Sequence, residues 1–238
     1  MARQGAIRLN LTLGNLIYYS RLGGWYVRSR PENIKQTTAT KKAGNNFGKA
    51  NRTESNLRHT LLSIIPNSKD KTMQRRFAKA VYQWLNKDPL GTNLPVDKLP
   101  FITGYEYNEN SCLRESLRLP ISVSRTPLGK LDLHIPAFRP TQAIAAPPNT
   151  QMIICHVMAA ACNMETGVAT ARYSVPIIIP YVNASISDRD YLLDIDTVPG
   201  CLTVVAISLE YHTVVDGIEN VITNLRWMPA GIIEAMYN

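Results

Sequence analysis

The chain has 238 residues, of which 45% are apolar and 18% charged, and a formal net charge of +8. This is globular composition with enough apolar content for a sizeable core, and it excludes a chain disordered throughout. Fifteen Pro and 13 Gly spread along the sequence argue against a long-helix protein.

The longest apolar stretches, such as Val175 to Val182, stop far short of the roughly 20 residues a bilayer-crossing helix needs. Met1-Ala2-Arg3-Gln4-Gly5 leads into no unbroken apolar run with a small-residue cleavage site, so no signal peptide is expected. The expected location is the cytoplasm, or a virion or other assembly. Charge is segregated: residues 1–90 hold 17 Lys/Arg against 4 Asp/Glu, whereas residues 91–238 hold 9 against 14. A basic half beside an acidic half predicts polyanion binding by the first, or head-to-tail contact between copies.

In chain order, Ile7, Leu9, Leu11 and Leu13 alternate with Arg8, Asn10 and Thr12, the period of a half-buried strand. Leu16 to Tyr19 and Trp25 to Val27 flank Gly23-Gly24, and a turn that needs positive φ makes them a hairpin. The N-terminus therefore reads as a β-meander. Residues 28–53 are polar and cationic: Arg28, Arg30, Lys35, Lys41, Lys42, Lys49 and Arg52 fall among Asn, Thr, Gly and Gln. So little can be buried there that a mobile loop is expected, ordered only by a partner.

Two helices should follow. With Thr53 as N-cap, Leu57, Leu61, Leu62, Ile64 and Ile65 recur at helical spacing up to Pro66. Beyond Asn67-Ser68, Met73, Phe77, Ala80, Val81, Trp84 and Leu85 form one apolar stripe, a core face. Lys71, Arg75 and Lys79 project from the opposite side and give the helical hairpin a cationic face.

From Leu99 onward the signals are β. Leu131, Leu133 and Ile135 alternate with Asp132 and His134. Met152 to Met158 and Val175 to Ile179 are short apolar runs of the sandwich-core kind, and Asp216-Gly217 after Val214-Val215 is a strong hairpin turn. The expected fold class is α+β, mainly β. An N-terminal β-meander and helical hairpin over residues 1–88 precede an antiparallel β-sandwich over residues 89–238, with the boundary near Asp88-Pro89.

Motifs for chemistry are sparse. Gly44-Asn45-Asn46-Phe47-Gly48-Lys49 has three residues between its glycines where a phosphate loop needs four, and Ala50 where Ser or Thr should reach magnesium. Cys155 and His156 are adjacent, so on a strand they point to opposite faces and share a metal poorly. Cys112, Cys155, Cys162 and Cys201 are widely spaced with no Cys-x-x-Cys, which predicts reduced thiols. Asp188, Asp190, Asp194 and Asp196 could gather oxygens for calcium, yet no EF-hand pattern surrounds them; an acidic loop is the plainer expectation. With no nucleophile elbow and no dinucleotide fingerprint, the chain is expected to be no enzyme and to need no cofactor.

Gly5 to Leu9, then Leu13-Gly14-Asn15-Leu16-Ile17-Tyr18-Tyr19, then Gly23-Gly24-Trp25-Tyr26-Val27-Arg28 resembles a pattern in uncharacterised proteins of Bacteroidota. Those begin with a Gly-rich hairpin bearing a Phe-Tyr or Tyr-Tyr pair. Asn46 to Ala50 with Leu57-Arg58 looks like their next block, and Gly104 to Asn108, Ile135 to Phe138 and Leu209 to Tyr211 are similar to later ones. The resemblance implies a bacterial, multi-paralogue, non-enzymatic protein related to phage or to a large assembly; it carries no site residues.

The expected function is that of a structural subunit contacting copies of itself or other assembly proteins. The contact surface is expected at Arg28, Arg30, Lys35, Lys41, Lys42, Lys49, Arg52, Lys71, Arg75 and Lys79. A rival reading is nucleic-acid binding by the same cations, with Tyr18, Tyr19, Trp25 and Tyr26 stacking on bases. A third is a ligand- or carbohydrate-binding β-sandwich.

Overall fold

A computed structural model describes residues 2–5, 8–32, 36–65, 72–87, 99, 101–196 and 198–237. Its first strands, β1 (Ala2–Arg3), β2 (Thr12–Leu13), β3 (Leu16–Arg21) and β4 (Gly24–Ser29), form an antiparallel sheet in the order β1-β4-β3-β2. The meander is therefore present. Its turn falls one residue earlier than Gly23-Gly24, at Leu22-Gly23, with φ of 49° and 75°. Gly24 instead pairs with Arg21 in the ladder. Regular pairing of the preceding strand covers Thr12–Leu13 and is extended by two backbone bonds between Leu11 and Tyr18; Ile7 lies outside the described residues.

The mobile loop expected over residues 28–53 is not what forms. Ser29 ends a strand, and α1 (Thr38–Thr60) is a 23-residue helix that begins 15 residues before the expected N-cap Thr53. Thr37 caps it: its hydroxyl accepts the Thr40 amide at 3.1 Å. The buried face of the helix is Ala50, Thr53, Glu54 and Leu57, all in its C-terminal half, where small and polar residues accompany one large apolar side chain.

Two compact units divide the chain, Met1–Gly44 and Asn45–Asn238. That division falls inside α1 rather than near Asp88-Pro89, which lies outside the described residues.

The second unit continues with α2 (Met73–Lys87), α3 (Leu113–Ser116), β5 (Ser122–Arg125), β6 (Leu131–Ile135) and α4 (Pro140–Ala143). The strands β7 (Met152–Asn163), β8 (Ala169–Pro180), β9 (Arg189–Leu193), β10 (Cys201–Val215), β11 (Ile218–Val221) and β12 (Ala230–Tyr237) complete it. A five-stranded sheet runs β11-β10-β7-β8, with β12 also on β10; a three-stranded sheet runs β5-β6-β9. Every strand pair is antiparallel.

The large sheet is buried on both faces along β7 and β10, whereas β8 exposes alternate residues and β11 is exposed throughout. Met158, Ala160, Cys162, Leu202 and Val204 pack with Leu57, Leu61, Phe77, Val81 and Trp84 of the helical region. On the reverse face Cys155, Val157, Val205, Ile207 and Leu209 pack with Leu131, Leu133 and Leu193 of the small sheet, which makes the sandwich. Double-sided burial is why β7 and β10 read as apolar runs rather than alternating strands. Leu99 and residues 101–107 lie along the outer edge of β12: Tyr107 N–H donates to Ala230 O and Ile232 N–H to Tyr105 O, both at 2.8 Å. Among the described residues no helix is long and apolar enough to cross a membrane.

Candidate functional site

The ladder of the first unit sorts its side chains by face, because residues directly opposite each other in a sheet share a side. Tyr19 is opposite Tyr26, Ile17 opposite Arg28, Arg21 opposite Gly24, and Arg3 opposite Tyr26. One face therefore carries Arg3, Arg21 and Arg28 with Tyr19 and Tyr26. The other carries Leu11, Leu13, Leu16, Tyr18, Trp25 and Val27, with no charge among them. No carboxylate occurs on any of the four strands.

Of the four aromatics expected to stack, the sheet unites Tyr19 and Tyr26 and puts Tyr18 and Trp25 on the opposite side. The Tyr19 and Tyr26 ring centres are 5.8 Å apart with planes tilted by 30°. The Arg28 guanidinium sits 5.8 Å from the Tyr19 ring centre, within cation–π range. Tyr26 lies over Gly24, where a Cβ would come within 2.5 Å of its hydroxyl oxygen; only glycine lets the ring lie down along the strand. Arg3 and Arg21 stand outside the expected contact set, and the ladder register brings them onto this face.

The remaining expected cations are dispersed. Arg30 is exposed, and its amide donates to Asn15 O. Lys41 and Lys42 are exposed on the first turns of α1; Lys49 is half-buried and Arg52 exposed further along it. The Arg52 stem and the Asn56 amide engage the turn at Gly167, so Arg52 acts partly as packing. Arg75 and Lys79 are exposed on α2, whereas Lys35 and Lys71 lie outside the described residues. Arg76, absent from the expected set, is the structural cation of α2. It donates to Glu106 O, pairs with Glu109 at 2.9 Å and lies over the Tyr105 ring. Gly44 to Lys49 is part of α1, which leaves no loop to cradle a phosphate.

A second polar cluster sits on the large sheet of the second unit. Glu210 and His212 are two apart on β10, hence on one face, and the His212 Nε2–Glu210 Oε1 distance is 2.6 Å. Glu219 approaches His212 Nδ1 at 2.7 Å, and Glu210 Oε2 is 3.8 Å from His156 Nε2. Beside them lies a cleft of about 360 Å3 lined in part by Ile65, His156, Ser208, Glu210 and Trp227. A Glu-x-His strand pattern hints at this cluster, but His156 joins only through its pairing opposite Ser208.

The four aspartates do not gather. Asp194 and Asp196 both pair with the Lys130 ammonium at 2.7 Å, and that pairing holds the lysine above its ordinary pKa. Asp190 pairs with His134. The calcium arrangement is thus replaced by ion pairs, and no group of three or more His, Cys, Asp or Glu that could hold a metal occurs among the described residues. All four cysteines are free; burial pushes the Cys155 thiol up to about 12 and Cys162 to about 11, so neither is a nucleophile at neutral pH. No protein-family model, curated protein or solved structure matches the chain, so its site chemistry rests on its own residues.

Proposed function

We propose that the chain is a non-enzymatic assembly subunit that repeats in a larger particle or filament. One observation carries this reading: not one described residue of the first unit is buried, although its sheet has an uncharged apolar face. Leu11, Leu13 and Leu16 are 45%, 62% and 39% exposed on that face. A four-stranded sheet with such a face gains stability by covering it.

The occupant we assign is the β10–β11 hairpin of a second copy. Its tip exposes Val214, Val215, Ile218 and Val221 beside Asp216 and Glu219, apolar and acidic together. Residues 1–44 carry eight Lys/Arg and one Asp/Glu; Arg3, Arg21 and Arg28 face away from the contact, and the unit as a whole is cationic toward an acidic hairpin. Such a contact joins two different surfaces, and heterologous contacts propagate into rings or filaments. Edge pairing is the weaker route: Pro176 and Pro180 interrupt the edge strand β8, and β1 and β2 have two residues each.

Light scattering coupled to size-exclusion chromatography at low and high salt tests the reading. The expected result is a mass above one chain that Val215→Asp with Ile218→Asp reduces to a monomer. A strict monomer for the native chain at every concentration contradicts it.

A further inference from the structure

We propose that the opposite face of the first sheet, bearing Arg3, Arg21, Arg28, Tyr19 and Tyr26, is a binding platform for single-stranded nucleic acid. The inference is independent of assembly, which uses the other face. Three guanidiniums and two aromatic rings share one side of a sheet that holds no carboxylate. All three arginines are exposed.

The combination selects the ligand class. Guanidiniums alone would suit any polyanion, since each offers planar donors to phosphate, sulfate or carboxylate. Rings interleaved with them favour a polymer that alternates anionic groups with flat π-faces. Nucleic acid has that alternation, and base-on-ring stacking tolerates any sequence. The support is a sheet, so it meets bases face-on. A duplex hides its base faces within its own stack, whereas a single strand can splay them onto a sheet-borne tyrosine. Tyr26, laid along the strand over Gly24, offers one such surface, and Tyr19, tilted 30° beside it with the Arg28 guanidinium over its ring, flanks it.

The test uses the full chain and fluorescein-labelled 12-mers of deoxythymidine and uridine, with a 12-base-pair duplex and heparin as comparators, in about 50 mM salt. Anisotropy should show single strands binding at least tenfold tighter than duplex. Three phosphate contacts predict a slope of log affinity against log salt near −2, from about −0.7 for each contact on a single strand. Tyr19→Leu with Tyr26→Leu should weaken binding by about tenfold or more, while Tyr19→Phe with Tyr26→Phe keeps the rings and the affinity. Arg21→Gln with Arg28→Gln should flatten the salt slope. Ultraviolet crosslinking of a 4-thiouridine 12-mer to the native chain needs no variant, and the adduct should map to residues 17–28. Crosslinks confined to other segments, equal affinity for duplex, full competition by heparin at matched charge, or leucine variants that fold and bind normally would each overturn the proposal. The oligomeric mass of the tyrosine variants should stay native, which separates this outcome from failure of the assembly reading.

Discussion

The four-stranded sheet of the first unit and the five-stranded sheet of the second are built from similar residues and differ sharply in burial. In the second unit, β7 and β10 bury both faces, and Val157, Ala160, Val204 and Val205 have no exposed surface. In the first unit, Tyr18, Trp25 and Val27 are only half-buried on the better-covered strands, and no described residue passes into a core. Strand propensity is thus not what separates them. Coverage is, since apolar burial at about 25 cal/mol per Å2 is the dominant favourable term. One sheet draws it from helices and a second sheet; the other, on the reading proposed above, draws it from another copy of the chain.

The largest expected effect sharpens that contrast directly. Phe77 is fully buried, with its ring centre 4.7 Å from that of Tyr105 and 5.8 Å from that of Tyr107. Phe77→Ala should cost about 3–5 kcal/mol in denaturant unfolding. The matching truncation in the first unit, Trp25→Ala, should leave the main unfolding transition within about 0.5 kcal/mol of native yet lower the oligomeric mass. Equal losses for the two variants would break the comparison, because Trp25 would then belong to a core.

A smaller effect is expected at Gly231 on β12. A Cβ there would sit 2.9 Å from Tyr105 O, a backbone atom that cannot swing aside. Gly231→Ala should destabilise the second unit by about 1–3 kcal/mol in the same unfolding assay. No change would mean that residues 101–107 do not pack tightly along that edge.

Glu106 supplies a pH test confined to the second unit. Its carboxylate accepts the Leu113 and Arg114 amides at 2.7 and 3.2 Å, but burial outweighs these bonds and raises its pKa above the ordinary value. The contribution is therefore most favourable below the unfolded pKa and is lost as pH rises through the higher folded value. Melting curves from pH 4 to 7 should show Glu106→Gln gaining on the native chain as pH rises. A difference that stays constant across the range contradicts the assigned cause.

The smallest effect returns to the first sheet. Leu22 is 97% exposed and held at φ 49°, a region in which a leucine pays for its Cβ. Leu22→Asn, which gives the Asn-Gly sequence such turns prefer, should stabilise the hairpin by up to about 1 kcal/mol, seen as slower amide exchange at Tyr19 and Tyr26. Faster exchange would show that the turn is not of the kind described.

These positions also show what was legible in the sequence. Asp216-Gly217 announces its hairpin because Asp and Gly both tolerate positive φ, and the structure has φ of 52° and 78° there. Leu22-Gly23 makes an equivalent turn with one residue that gives no such sign, so the turn was read one position late. That shift matters, since register decides which of Tyr18, Tyr19, Trp25 and Tyr26 share a face. The N-terminal part of α1 is hidden for a different reason: residues 38–49 bury no side chain, and the buried face begins only at Ala50, Thr53 and Glu54, with Glu54 buried against Arg58 at 3.0 Å. Periodicity searches weigh apolar residues, and little in that segment registers. The apolar runs of β7 and β10 were legible as core strands, and the α2 stripe as a buried helix face. The His156–Glu210–His212 cluster depends on pairing between strands some fifty residues apart, which local pattern does not encode.

Amide hydrogen exchange over Leu16–Ser29, followed as protein concentration rises alongside the light-scattering mass, bears most directly on the claim that the first sheet is completed by another copy. The account predicts rapid exchange in dilute solution and protection that grows in step with the mass, while the amides of β7 and β10 stay slow throughout. Strong protection of Leu16–Ser29 in a monomer, or rapid exchange that persists in the assembled state, would contradict it.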